Sequence, residues 1–127
     1  MSTTSTTSMT TKQIAGRLKE LCSKGEYDQA QSELFTDNAV SIEQEASPMF
    51  DKETTGLKAM REKRNKFEAM VEKVHSNNIS DPLIAGNSIA FLSIMDVTMK
   101  GRPRETMSEL WVYKVKDGKI ISEQFFM

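Results

Sequence analysis

The chain has 127 residues with 17 basic and 18 acidic side chains, a net charge of −1, and 38% hydrophobic and 28% charged residues. That length suits one domain with a core of its own, and the near balance of charge supplies no whole-molecule field for nucleic acid. A single cysteine and a single histidine exclude an internal disulfide framework and leave no basis for a Cys- or His-rich metal centre. No apolar run approaches the roughly 20 residues that span a bilayer.

Residues 1–11 read MSTTSTTSMTT, hydroxyl-rich and without an apolar stripe, so residues 1–10 are expected to be a disordered tail and 11–127 the domain. The beginning has neither the basic start and apolar stretch of a secretory signal nor the arginines of a transit peptide. With one free thiol, Cys22, the expectation is a soluble protein of a reducing cytoplasm.

Ile14, Leu18, Leu21 and Cys22 fall on one helical face, preceded by Thr10 and Gln13 at capping-box spacing and followed by Gly25. Tyr27, Ala30, Gln31, Leu34 and Phe35 mark a second short helix, broken at Thr36-Asp37-Asn38. Residues 39–43 alternate as a strand, with Val40 and Ile42 on one side and Ser41 and Glu43 on the other. Residues 44–54, with Pro48, read as a loop. From about Thr55 to Val74 a third helix carries Leu57, Met60, Phe67, Met70, Val71 and Val74 on one stripe. Its other face mixes lysine, arginine and glutamate and reads as a solvated surface rather than a nucleic-acid stripe.

From His75 the period becomes two, and strands are expected over 75–84, 88–100, 105–115 and 119–126, separated by Gly86-Asn87, residues 101–104 and Asp117-Gly118. Helices followed by an antiparallel meander make an α+β domain, with the helices folded over one face of a twisted sheet. Turn lengths set the register. Pairing Ala85 with Ser88, Lys100 with Glu105 and Lys116 with Lys119 aligns Asn77, Asp96, Glu109 and Phe126 in one row. His75, Ile79, Leu92, Ile94, Met107, Trp111, Tyr113, Ile120 and Gln124 would share that face. Phe91, Ser93, Met95, Val97, Leu110, Val112, Ile121, Glu123 and Phe125 would share the other. With both faces apolar and helices able to cover one, a homodimer through the sheet is expected.

Asp96 facing Glu109 amid apolar walls should have at least one carboxyl pKa raised by desolvation and like charge, the condition for general acid or base work near neutrality, with His75 able to share the proton. Trp111, Tyr113, Met107 and Ile94, with Asn77 and Gln124, would line a site for a flat, mostly apolar small molecule. Glu43 and Glu123 are expected on a solvated or subunit-facing surface. No phosphate loop, nucleophile elbow or metal-ligand spacing is present, so no cofactor and no metal are expected. The plain alternative is a binding domain whose carboxylates only satisfy local hydrogen bonds.

The order of elements, the strand Val40-Ser41-Ile42-Glu43, the segment Gly56-Leu57-Lys58-Ala59-Met60, the stretches Met95-Asp96-Val97-Thr98 and Glu123-Gln124-Phe125-Phe126, and the ending from Val112 to Ile121 with Asp117-Gly118-Lys119-Ile120 resemble the nuclear transport factor 2-like superfamily. Within it the sequence is most similar to the SnoaL-like, polyketide cyclase-like branch, over about residues 11–127. The resemblance implies a cone-shaped fold with about three helices on a curved mixed or antiparallel sheet enclosing a hydrophobic cavity, and frequent dimerisation. It also implies small-molecule binding with possible cofactor-independent isomerase, cyclase or dehydratase chemistry on an aromatic or polyketide-like substrate. Asp96 and His75 match the aspartate and one of the histidines that cyclase and dehydratase members use. A non-catalytic ligand-binding or protein-association domain is the other implication.

Overall fold

The computed structural model describes residues 8–127. The capping box is formed: Thr10 N–H donates to Gln13 Oε1 at 2.9 Å and Gln13 N–H to Thr10 Oγ1 at 3.1 Å. It satisfies amides that have no partner inside the helix and starts α1 (Thr11–Ser23). Ile14, Leu18, Leu21 and Cys22 are all buried on its inner face. Part of the expected tail, residues 1–7, lies outside the described residues, while Met9 packs against the core.

α2 (Tyr27–Leu34) ends before Thr36-Asp37-Asn38 as expected, but β1 (Phe35–Ile42) follows at once and takes in both that stretch and Phe35, which was expected in the helix. A short β2 (Glu53–Thr55) spans the end of the expected loop and the expected start of the third helix, and pairs with the end of β1. α3 (Leu57–Ala69) ends five residues before Val74. Its last residues fitted the helical stripe, but Val71 and Val74 are β-branched, and β5 offers them a ladder: Val71 pairs with Met99 and Val74 with Val97. They belong to β3 (Val71–Ile79), which is followed by β4 (Leu83–Ala85), β5 (Ser88–Met99), β6 (Arg104–Lys116) and β7 (Lys119–Phe126). The sheet order is β2-β1-β7-β6-β5-β3, with β4 also on β5; β1 runs parallel to β7 and the other pairs are antiparallel.

Register decides what this sheet presents. At the Asp117-Gly118 hairpin Lys116 pairs with Lys119 as expected, with both turn residues at positive φ, 51° and 76°. A Cβ on Gly118 would lie 2.6 Å from that of Ser8, so the turn also needs glycine for space. One residue later β7 bulges at Ile121, and Leu110, not Glu109, meets Phe126. Ala85 pairs with Ser88 as expected, but the break at 80–82 slips β3 by one, and Asn77 faces Met95 while Ser76 faces Asp96.

The β5–β6 turn differs most. Arg102 N–H closes on Met99 O at 3.1 Å, Lys100 N–H is drawn to Met70 O at 2.8 Å, and Thr98 pairs with Arg104. This is a three-residue slip from the expected pairing, and an odd slip exchanges the faces of one strand against the other. Glu109 therefore faces Ser93, and Asp96 faces Thr106. Asp96 and Glu109 lie on opposite faces of the sheet; the expected carboxylate couple does not exist.

The helices cover the face on which Ser41, Glu123, Tyr113 and Ile89 form one row and Phe125, Trp111 and Phe91 the next, with Glu109 beside Ser93 beyond them. The aromatic rings meet edge to face: Phe91 to Tyr113 at 6.0 Å, Trp111 to Phe125 at 6.3 Å. Phe91→Ala, which empties the centre of this layer, should lower the unfolding free energy by about 3–5 kcal/mol. Ser108→Ala on the exposed outer face should change it by less than about 0.5 kcal/mol, both read by urea unfolding.

Candidate functional site

Between the inner face of the sheet and the helices lies a half-open pocket of about 820 Å³. Trp111 and Phe125 lie along its floor with Tyr113 beyond them, Met95 and Met107 continue it, and Met60 and Phe67 of α3 close it from above. α3 can do this because residues 60, 63, 64 and 67 recur at helical spacing, so one stripe carries Met60, Lys63, Arg64 and Phe67 into the pocket.

Five glutamates line it: Glu43, Glu109 and Glu123 at the sheet, and the exposed Glu68 of α3 and Glu72 of β3 at its rim. Glu123 is bonded by the buried Ser41, whose Oγ donates to Oε2 at 2.7 Å. Lys63 Nζ in turn donates to Ser41 Oγ at 2.9 Å, pairs with Glu43 at 2.5 Å, and sits 5.5 Å from the centre of the Phe125 ring. Burial raises the Glu123 carboxyl above its usual range against the pull of Ser41 and Lys63. Glu109 has one donor, the Trp111 indole Nε1 at 3.2 Å, and no ion-pair partner among the described residues. Desolvation raises its carboxyl too, opposed by Trp111 and by the more distant Lys63 and reinforced by Glu43.

At the α2 side Asn77 Nδ2 donates to Tyr27 Oη at 3.2 Å, and the Arg64 guanidinium lies 5.8 Å from the Tyr27 ring. Asn77 Oδ1 and Arg64 Nη1 have no hydrogen-bond partner among the described residues. Both atoms are shielded, so a ligand would reach them only after a side-chain rotation. Cys22 also lines the pocket, but burial pushes its thiol up to about 12, which leaves it a weak nucleophile.

Of the residues singled out in the sequence, Glu109, Trp111, Tyr113, Met107 and Asn77 line this pocket. Asp96, His75, Ile94 and Gln124 do not. Asp96 takes a bidentate pair from Arg104, Nε at 2.9 Å and Nη2 at 2.7 Å, which holds its carboxyl below the usual range. His75 Nε2 bonds Thr98 Oγ1 at 2.8 Å, the neighbour expected for it, but on the outer face. Ile94 is 39% exposed there, and Gln124 sits between Ile42 and Val112. Conversely, Glu43 and Glu123 are in the pocket rather than on a solvated surface, and Lys63, expected on the solvated face of α3, is their partner. The alternation of Ser41 with Glu43 was the available signal; the parallel pairing of Ser41 with Glu123 was not readable from turn lengths. Among the described residues no group of three or more His, Cys, Asp or Glu side chains could hold a metal ion, and no helix is long and apolar enough to cross a membrane.

The family model of the SnoaL-like domain matches residues 9–127. The chain belongs to the SnoaL-like family. It is 32% identical to a candidate SnoaL-like polyketide cyclase from Mesorhizobium loti, with a TM-score of 0.85 over 94% of this chain and 100% of that one. A protein of ketosteroid isomerase-like fold from Catenulispora acidiphila, solved with trimethylamine, is 18% identical with a TM-score of 0.69, over 89% and 84% of the two chains. TerC, co-crystallised with polyporic acid, is 10% identical with a TM-score of 0.75, over 93% and 92%. These last two show the shared fold, an α+β cone of helices on a curved sheet. No functionally curated protein matches significantly.

Folding raises the Glu109 carboxyl above its ordinary 4.5, so the folded chain holds that proton more tightly than the unfolded one. The group's contribution is complete below about pH 4.5 and is lost as pH rises through the raised value, by about 1.4 kcal/mol for each pH unit that separates the unfolded and folded values. Glu109→Gln removes this loss. Its unfolding free energy relative to the parent should therefore grow as pH rises from about 4.5 toward 8, measured by urea unfolding across that range.

Proposed function

We propose that this SnoaL-like domain binds a flat, largely apolar small molecule against Trp111 and Phe125, and that Glu109 exchanges a proton with a carbonyl or hydroxyl at the open end. The observation that carries this reading is the Glu109 carboxyl itself: it stands among methionine and aromatic walls with a single indole donor and no paired cation among the described residues. An uncompensated carboxyl in such surroundings costs stability and is poised to be neutral, able to donate to a ligand oxygen or to take a proton beside it. The likeness to a candidate polyketide cyclase and to a protein crystallised with polyporic acid supports an aromatic or polyketide-like ligand. It supports isomerase, cyclase or dehydratase chemistry less directly, because one fold hosts many activities. A non-catalytic ligand-binding domain is the alternative, and the reading needs no cofactor.

We also propose that a second copy covers the outer face of β5 and β6, where Leu92, Ile94 and Leu110 are 41%, 39% and 48% exposed. Asp96 is neutralised there by Arg104, so the patch presents no unpaired carboxylate to repel an identical patch across a two-fold axis. Leu110→Glu should shift the sedimentation coefficient from dimer to monomer; a parent that sediments as a monomer at all concentrations contradicts this. A reducing cytoplasmic setting fits the buried free thiol of Cys22.

Trp111 is the only tryptophan, so intrinsic fluorescence reports on the pocket alone. Titration with 2-tetralone, a two-ring ketone, should quench it with a Kd on the order of 100 μM. Affinity in the parent should fall as pH rises and Glu109 ionises, and Glu109→Gln should flatten that dependence. Absence of saturable quenching contradicts the reading.

A further inference from the structure

We propose that the α2 side of the pocket is a second polar subsite, built by Tyr27, Asn77 and Arg64, that receives a neutral hydroxyl group of the ligand. This rests on the pocket being a ligand site, as proposed above, and narrows its ligand to a hydroxylated ring compound with a second oxygen toward Glu109.

Three elements meet at this point. Tyr27 opens α2, Arg64 lies on the pocket stripe of α3, and Asn77 comes from the inner face of β3. The phenol is the hub. Asn77 Nδ2 donates to its Oη at 3.2 Å, and the Arg64 guanidinium lies 5.8 Å from the centre of its ring. Burial raises the Tyr27 hydroxyl above its usual range against the pull of Asn77, so it keeps its proton.

Each of the three has hydrogen-bonding capacity left over among the described residues. Tyr27 accepts from Asn77, but its O–H donates to no described group. Asn77 Oδ1 accepts from none, and Arg64 Nη1 donates to none. The rest of the guanidinium is engaged: Nη2 is held by Asp28, and Nε lies 3.9 Å from Glu68. Shielded polar atoms without partners are rare and costly in a folded chain. Two of them, on α3 and β3 and gathered round one half-buried phenol on a pocket wall, mark a place kept for a polar group.

The unspent capacity has a definite chemical complement, because it consists of two donors and one acceptor. A hydroxyl has one proton and two lone pairs, so it donates to Asn77 Oδ1 and accepts from Tyr27 Oη and Arg64 Nη1. A carbonyl, ether or carboxylate oxygen has no proton and would leave Asn77 Oδ1 unpaired. An ammonium would be set against the Arg64 cation. An anion is not called for, because Asp28 and Glu68 already balance that charge. Since both orphaned atoms are shielded as the side chains stand, the hydroxyl enters as Asn77 or Arg64 rotates.

Strand rows give the span. Asn77, Met95 and Met107 form one row across β3, β5 and β6, and Ile79, Ser93 and Glu109 form the next. Asn77 and Glu109 are therefore two strands and one row apart, about 12 Å between backbone positions. Two fused rings with an oxygen at each end fit that interval, crossing β5 and bordering Trp111, whose indole bonds Glu109.

Three ketones that differ at one position test the subsite through quenching of Trp111. In the parent, 6-hydroxy-2-tetralone should bind about tenfold more tightly than 2-tetralone, and 6-methoxy-2-tetralone, which cannot donate, should gain nothing. Asn77→Leu should bring the ratio of affinities for the hydroxyl compound and 2-tetralone to about one, and Tyr27→Phe should lower it at least about threefold. Equal affinities for those two ketones in the parent, or a methoxy compound that binds as tightly as the hydroxyl one, overturn the subsite and leave the pocket standing; this comparison needs no variant to fold. A ratio that Asn77→Leu leaves undiminished overturns it as well. No quenching by either 2-tetralone or its hydroxyl derivative removes both readings.

Discussion

The pairing of Ser93 with Glu109 across β5 and β6 determines what the pocket contains. Strands present alternate residues to alternate faces, so one choice of partner commits both long strands at once. With this pairing the inner face receives Phe91, Trp111 and Tyr113 for the core and Glu109 for the pocket, while Asp96 is turned outward to Arg104. The turn that enforces it is stitched at two points, Arg102 to Met99 and Lys100 to Met70. The second stitch ties the β5–β6 hairpin to the end of α3, and so fixes the helix that roofs the pocket to the strands that floor it.

The inner face is not an optimised core. A sheet-and-helix interface of this kind would be most stable if filled with aliphatic side chains, yet it sets Glu43, Glu109 and Glu123 against a space of about 820 Å³. Lys63 offsets only part of the cost. Its ammonium lies between Glu43, Ser41 and the Phe125 ring, which compensates Glu43 directly, Glu123 through a hydroxyl, and Glu109 hardly at all. A protein that sacrifices packing and pairing in one place, while the adjoining core of Ile14, Leu21, Ile89 and Ile120 is 1% exposed or less, concentrates its disadvantage where a ligand would sit.

The helices, the strand alternation and the Asp117-Gly118 hairpin were legible because each depends on local chemistry: a capping box, a hydrophobic period, two residues able to take positive φ. The site was legible only in part, because it depends on sums of such local features. A turn three residues out of register separates Asp96 and His75 from Glu109, while the break at 80–82 parts Asn77 from Asp96 and the bulge at Ile121 parts Phe126 from Glu109. Trp111, Tyr113 and Met107 stayed together because they sit on one strand, where register with a neighbour does not matter. Glu123 and Glu43 were missed because their meeting needs the parallel β1–β7 pairing, a long-range contact that no turn announces. α3 misled for a related reason: Val71 and Val74 satisfy a helical stripe, and only the presence of β5 decides that they become strand.

Membership in the SnoaL-like family accounts for the cone of helices on a curved sheet and leaves the chemistry to the residues inside it. The direct test of the central claim is where an apolar ring binds. Intermolecular NOEs from saturating 2-tetralone should reach the indole protons of Trp111 and the methyls of Met95 and Met107. NOEs confined to the methyls of Leu92, Ile94 and Leu110 on the outer face would contradict the account.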